Sequence, residues 1–390
     1  MEDMIGKAAR EFVDIFGENA THYGDAPGRV EVIGNHTDYN DGFILAAAID
    51  RRIAVVGRRV EGALARVYSR TFNSGASFPV AEPLKTKDNP WLNYVMGVVW
   101  QLRNKGIGVD AFEAMVLGDV PLGAGLSSSA ALEVATASFL RALNGFEMDP
   151  IDVALNSQAA ENDFVGMNCG ILDQFTSAMG RSERLVFLDC RFLDRYSYYP
   201  LGNGVKLVIA NTKAPHALVD GAYNRLRASC FRAAAICAEK FPDKKISHLR
   251  DVNPEELDQC RTAMGDEDYR RARHIVTENA RVLASAEALQ RGDYRAMGGL
   301  MADSHASSRD WLGNSSPELD VMVDLALEIP GCFGARLSGG GFGGATINLV
   351  GADRAEAFAE KLGERYREKT RIDPEIHLFT AGPGAEGGKL

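Results

Sequence analysis

Apolar residues recur at helical spacing near the amino terminus: over residues 2–16, Ile5, Ala8, Phe12 and Phe16 share one side. Turn signals at Gly24, Asp25 and Pro27 close that pattern, and Arg29 to Ile33 reads as an extended run opening into a polar loop, GNHTDYNDG, at 34–42. Periodicity then predicts short strands at 43–49, 53–60 and 64–69. A helix is predicted from Trp91 to Arg103 and a strand at 111–117, leading into a Gly-Ser loop, GDVPLGAGLSSSAALE (118–133), and a helix to about residue 143. Asp149-Pro150 starts another helix through Glu161 to Val165. Glycines 166 and 170 interrupt it, a short helix restarts over Ile171 to Met179, and Leu185 to Leu188 reads as a strand.

Gly202-Asn203-Gly204 marks a junction, because a strand from Lys206 to Asn211 begins a new series there. Helices follow near 220–240, 268–291, 293–309 and 317–328, and residues 333–380 close with strand, glycine turn, strand, helix and strand. The expected organisation is two domains, 1–203 and 204–390. At 390 residues the chain exceeds the size of one ordinary core. Strands cluster where a doubly wound fold would alternate them with helices, so the expected class is α+β, two-lobed, with mixed sheets packed on helices. The Gly-rich tail at 382–388 is expected to fray.

Charge and cysteine usage narrow the partners. A net charge of -10 argues against nucleic acid or an anionic membrane, which call for a basic surface. The first residues carry acids and amphipathic spacing in place of a basic start and an apolar block, and the longest aliphatic run is Ile44 to Ile49. Six scattered cysteines form no Cys-x-x-Cys pair, and the histidines lack zinc-ligand spacing. A reduced, cytoplasmic protein is expected, a monomer or weak homo-oligomer that works on small molecules.

Four polar clusters carry the candidate chemistry. In the Gly-Ser loop, Gly123 and Gly125 let backbone amides approach a ligand, and Ser127, Ser128 and Ser129 stand where a helix begins. Free amides at a helix start make an anion site, here read as one for nucleotide phosphate, though a Gly turn with a Ser cap accounts for the same residues. No lysine completes a Walker A motif; Arg29 could supply the missing charge. The loop at 34–42 offers Asn35, His36, Asp38 and Tyr39, suited to gripping several hydroxyls of a sugar or equally to a hydrophilic hairpin of Asx turns. In ENDFVGMNCGILDQF (161–175), Glu161 and Asp173 flank a Gly-broken turn and could divide the metal and proton tasks of phosphoryl transfer. A solvated helix residue and a helix cap are the plain alternatives. In ARLSGGGFGGATINL (335–349) the glycines satisfy GxGxxG literally, but β-branched residues follow where a dinucleotide site needs a helix. Two strands joined by a Gly-rich turn are expected.

Together, in this order, these clusters resemble the galactokinase branch of the GHMP small-molecule kinases. APGRVEVIGNHTDYNDG, GDVPLGAGLSSSAALEVAT, NCGILDQF, LVFLDCR and GARLSGGGFGGATINL carry the likeness over nearly the whole chain. The resemblance implies a two-lobed fold, ATP and Mg²⁺, and phosphoryl transfer to the anomeric hydroxyl of a hexose, galactose first. It implies that Gly123, Ala124, Gly125, Leu126, Ser127, Ser128 and Ser129 wrap the nucleotide phosphates, with Ser69 also touching the nucleotide. Ser129 and Glu161 would hold the metal, Asp173 would act on the sugar hydroxyl and Arg29 would stabilise developing charge. Asn35, His36, Thr37, Asp38 and Tyr223 would hold the sugar. The chain departs from the pattern at two positions four apart: the family segment reads Gly-Arg-Val-Asn-Leu-Ile-Gly-Glu-His, whereas Glu31 and Asn35 stand here. Residues 310–316 also depart, with no reason visible in sequence. Other readings are a kinase for another sugar (2-acetamido sugar, pentose or different hexose), a non-catalytic sugar and ATP sensor, and a dinucleotide oxidoreductase.

Overall fold

The protein, described here from a computed structural model at residues 4–214 and 221–390, is built on two long neighbouring strands. These are β1 (His22–Ile33) and β2 (Phe43–Arg59), paired antiparallel with register shifts at Pro27/Arg29 and Glu31/Ile33. The first sheet adds β3 (Leu64–Ser69), β4 (Ser74–Pro79), β5 (Phe112–Gly118), β6 (Arg184–Asp189) and β7 (Tyr196–Pro200). The second sheet holds β8 (Val205–Asn211), β9 (Cys332–Ser338), β10 (Ala345–Gly351) and β11 (Glu375–Phe379), in the order β11-β8-β10-β9. The last strand, β12 (Glu386–Lys389), returns to the first sheet, whose order is β12-β1-β2-β5-β3-β4 with β6 on β2 and β7 on β6.

Strand β1 runs straight through the turn signals at Gly24, Asp25 and Pro27, so the extended segment begins seven residues before the expected Arg29. Asp25 is buried in an ion pair with Arg52 of β2, which turns a turn-forming residue into a cross-strand pair. The tail does not fray. It pairs with β1 from His22↔Lys389 to Asp25↔Glu386. Its glycines allow the approach: a Cβ on Gly387 would meet the Ser138 carbonyl oxygen at 2.6 Å. Strands β4 and β7 were not legible from periodicity, since β4 (SGASFP) buries only Phe78 and β7 carries three tyrosines.

Helix Ser128–Asn144 follows β5 and packs on β1 through Ala130, Ala131, Ala135 and Phe139. Two helices end in π-helical turns, Ala160–Val165 after Pro150–Ala159 and Ser308–Leu312 after Tyr294–Ser307. Such turns insert a residue into the helical ladder and often sit at functional sites. The long helical segment Pro254–Gln290 is broken at Gly265. A continuous apolar core runs from Ile44, Val55 and Phe175 of the first sheet and its helices to Leu207, Ile209 and Ile347 of the second.

Candidate active site

The Gly-Ser loop ends at Ser127, a non-glycine residue with φ 51° that is the N-cap of helix Ser128–Asn144. Its side chain does not cap the helix, as a structural role would require; the hydroxyl donates to Asp173 Oδ2 instead. With no capping side chain, the first-turn amides and the positive end of the helix dipole remain for an anion. The loop is tied to β1 by Arg29, whose backbone N–H donates to the Leu126 carbonyl at 3.0 Å.

Arg29 is buried and engages two partners at once. Nε donates to Asp173 Oδ1 at 2.6 Å, Nη2 lies 2.5 Å from the same oxygen, and Nη1 donates to the Gly125 carbonyl at 2.7 Å. Asp173 sits in the first turn of helix Leu172–Met179. The guanidinium fork therefore fixes the carboxylate against the glycine loop, a geometry that a single ammonium could not reproduce.

Five residues expected to hold a sugar divide into two groups. His36, Asp38 and Tyr223 line a cavity of about 250 Å³ with Arg29, Ser129, Glu161 and Asp173. His36 Nε2 faces the Gly340 carbonyl at 3.2 Å and must be the protonated nitrogen, so Nδ1 accepts from the Tyr39 hydroxyl at 2.7 Å. Burial pushes the His36 imidazole down to about 3 and keeps it neutral. Burial, and next the Asp173 carboxylate, push Asp38 up to about 7.

Thr37 and Asn35 face the protein. The Thr37 hydroxyl lies 2.7 and 2.6 Å from the Gly34 and Phe43 carbonyls, closing the polar loop and reaching no cavity wall. Thr37 is thus a fold-holding residue, since a short β-branched side chain between two carbonyls has no proton left for a ligand. Asn35 touches the cavity wall but is fully buried, donating to Gly339 O at 2.7 Å and accepting from Asn314 Nδ2 at 2.8 Å.

Behind Ser129 stands a buried acid cluster. Gln174 Nε2 donates to Glu161 Oε2 at 2.6 Å and to Glu133 Oε2 at 3.0 Å, and the Ser129 hydroxyl bonds Glu161. Burial and then Asp173 push Glu161 up to about 7; burial pushes Glu133 well above the ordinary range. A second cavity of about 220 Å³ opens on the other side of Ser129, lined by Ser69, Phe72, Trp91, Tyr94, Ser128 and Ser129. The Phe72 and Trp91 rings stack with centroids 6.0 Å apart, and Trp91 Nε1 donates to Ser74 Oγ at 3.1 Å. Gly123, Ala124, Gly125 and Leu126 lie in the loop beside both cavities but line neither.

Three family models match the chain: GHMP kinases N terminal domain over residues 93–181, a galactokinase galactose-binding signature over 10–59, and GHMP kinases C terminal over 285–368. A galactokinase of Chloroflexus aurantiacus is 40% identical over 96% of this chain and 95% of its own. The chain belongs to the galactokinase family of GHMP kinases. Within it, the Lactococcus lactis galactokinase solved in complex with galactose superposes with a TM-score of 0.92 at 32% identity, covering 98% of this chain and 99% of that one. The mevalonate kinase of Methanococcus jannaschii, 17% identical with a TM-score of 0.65 over 92% of this chain and 98% of its own, shares the fold alone.

The fold also gives the Gly-rich turn and Asn314, within residues 310–316, a setting. Asn314 donates to Asn35 and, at 3.2 Å, to the Gly340 carbonyl, and its own carbonyl accepts from Phe342 N at 2.6 Å. Gly341 has φ 82°, and a Cβ there would lie 2.1 Å from the Asn314 carbonyl oxygen. The glycines between β9 and β10 thus let the turn lie flat between Asn314 and the 34–42 loop. Sequence reasoning also missed Gln174, Phe72 and Trp91, and the anchor Glu278, whose Oε1 accepts from the Gly34 and Asn35 backbone amides at 3.1 and 3.2 Å.

Proposed function

We propose that the protein is an ATP-dependent galactose 1-kinase, transferring the γ-phosphoryl group of ATP to the anomeric hydroxyl of galactose. The observation that carries the reading is that two cavities of different character meet at Ser129. The first is walled by the polar side chains of His36, Asp38, Asp173 and Tyr223; the second is flanked by the stacked Phe72 and Trp91 rings. A hydroxylated ring fits the first and a nucleotide base fits the second. The glycine loop and the uncapped helix start then lie where a polyphosphate would join them. The names of the relatives, and the galactose in the Lactococcus complex, favour galactose among hexoses.

Ser129 and Glu161 fit Mg²⁺. A hydroxyl and one carboxylate match an ion that usually takes one or two protein carboxylates and completes its shell with phosphate oxygens and water. No cage of three His, Cys, Asp or Glu side chains exists among the described residues, so the phosphates would supply much of the coordination. When bound, the ion neutralises charge on the phosphate oxygens. Asp173 then orients the sugar hydroxyl and accepts its proton. Because the Arg29 fork already holds that carboxylate, proton transfer comes late, after the bond to the leaving oxygen has loosened. Arg29 also faces the phosphate loop through Gly125, placing positive charge where negative charge develops.

All six cysteines are free thiols, as a reducing, cytoplasmic setting would keep them. Oligomeric state is proposed as monomer or weak homo-oligomer. The test is ³¹P NMR of purified protein with MgATP and a sugar panel. Galactose should yield a sugar 1-phosphate and ADP in equal amounts; turnover of a pentose or 2-acetamido sugar with none of galactose overturns the substrate assignment.

A further inference from the structure

Glu31 and Asn35 stand on one wall of the sugar cavity, and their side chains are bonded to each other. Asn35 Nδ2 lies 3.1 Å from Glu31 Oε1 and 3.3 Å from Oε2. An amide has two N–H donors and one acceptor oxygen with two lone pairs. In Asn35 the donors go to Glu31 and to the Gly339 carbonyl at 2.7 Å, while Oδ1 accepts from Asn314 Nδ2 at 2.8 Å and Ser308 Oγ at 3.4 Å. Nothing is left for a ligand, and the side chain is fully buried.

Glu31 is in the opposite condition. A carboxylate can accept about four hydrogen bonds. Oε1 receives Arg336 Nη1 at 2.8 Å and the Asn35 amide, whereas Oε2 has only the long, shared contact with Asn35. Burial raises the Glu31 carboxyl above its usual range, and Arg336, itself fully buried, opposes that shift and favours the charged form through its ion pair. The carboxylate therefore keeps unused acceptor capacity on the cavity wall, beside His36 and Asp38.

We infer that Glu31 is a specificity-determining residue whose Oε2 accepts a hydrogen bond from a sugar hydroxyl, with Asn35 as its positioning partner. This rests on the sugar kinase reading above. A group that only accepts recognises a donor, so the substrate class is a hexose bearing a free hydroxyl, not an ether, fluorine or acetamido carbonyl, at the ring position that meets Glu31. A buried acceptor left without that donor penalises the analogue that lacks it.

The test compares native protein and Glu31→Gln on galactose and on the 2-, 3-, 4- and 6-deoxygalactoses. Loss of one hydrogen bond to a charged group predicts that the galactose KM rises about tenfold or more in Glu31→Gln. The KM for ATP stays within about twofold of native, and for one deoxy sugar alone native and variant show the same KM. A folded Glu31→Gln with native galactose KM overturns the inference. So does an equal penalty on every deoxy sugar, which would mean a loosened loop. Should Glu31→Gln fail to fold, the reciprocal exchange Glu31→Asn with Asn35→Glu moves the one carboxylate by four residues and must change which deoxy sugar is penalised. An unchanged deoxy profile in the exchange overturns the inference. If native protein turns over no galactose, the functional reading fails before any variant is made, and the comparison is run with the accepted sugar and its deoxy series.

Discussion

Arg29 and Asp173, 144 residues apart in sequence, form a two-nitrogen contact with the Arg29 Nη2 to Asp173 Oδ1 distance at 2.5 Å. The remaining Arg29 nitrogen is spent on the Gly125 carbonyl, so one side chain joins the proposed base to the proposed phosphate loop. Arg29→Lys keeps the charge and cannot keep both contacts. We expect kcat to fall by about 10²-fold or more with a folded protein, because preorganised charge near a transferring phosphoryl group is worth that much. Steady-state kinetics and a thermal melt check it; a kcat within threefold of native removes the positioning role.

Asp38 carries a pH signature. Its carboxyl titrates near 3.8 when unfolded and is pushed up to about 7 in the fold, by burial first and Asp173 second. The folded protein thus holds a proton between about pH 4 and 7 that the unfolded chain releases. Stability from this group is full below about pH 4 and is lost as pH rises through 7. Asp38→Asn removes the dependence, so its Tm gain over native should be larger at pH 8 than at pH 5, together with a raised galactose KM. Equal Tm differences at both pH values contradict the assignment.

Asn314 lies 279 residues from Asn35 and is wholly buried against it. Asn314→Ala strips one of two donors from Asn35 Oδ1 and the bond to Gly340, at a cost of about 1–3 kcal/mol for an under-satisfied buried group. Galactose KM should rise severalfold while ATP KM holds. A variant with lowered Tm and both KM values unchanged would show that the tether serves the fold alone.

The proposed Ser129–Glu161 metal pair predicts metal dependence. Chelation should abolish turnover and excess Mg²⁺ restore it. In Glu161→Gln, the Mg²⁺ concentration for half-maximal activity should rise about tenfold or more, with galactose KM little changed. An unaltered Mg²⁺ requirement would take Glu161 out of the metal site.

The parts of the site legible in sequence were those written as contiguous motifs. Ser127 to Ser129, the 34–42 loop and the Glu161 to Asp173 stretch each announce polar chemistry within a few residues, and each puts some residues on a cavity wall: Ser128 and Ser129, then Asn35, His36 and Asp38, then Glu161 and Asp173. Orientation within a motif was not legible: Thr37 sits between His36 and Asp38 yet turns to the Gly34 and Phe43 carbonyls, because the tight turn with His36 at φ 61° rotates it away. Long-range partners were invisible as well. Asn314 and Arg336 act on residues about 300 positions away, and no local pattern records the meeting. The fold shows the same division: amphipathic helices were readable, whereas β12 is four residues, two of them glycine, whose place is set by pairing with β1.

In the proposed active site Asp173 acts on a sugar held beside ATP, and Asp173→Asn, measured by both binding and turnover, is the decisive variant. Calorimetry should find ATP and galactose affinities within about threefold of native, while kcat falls about 10²- to 10⁴-fold. Native turnover with both ligands bound normally would contradict it.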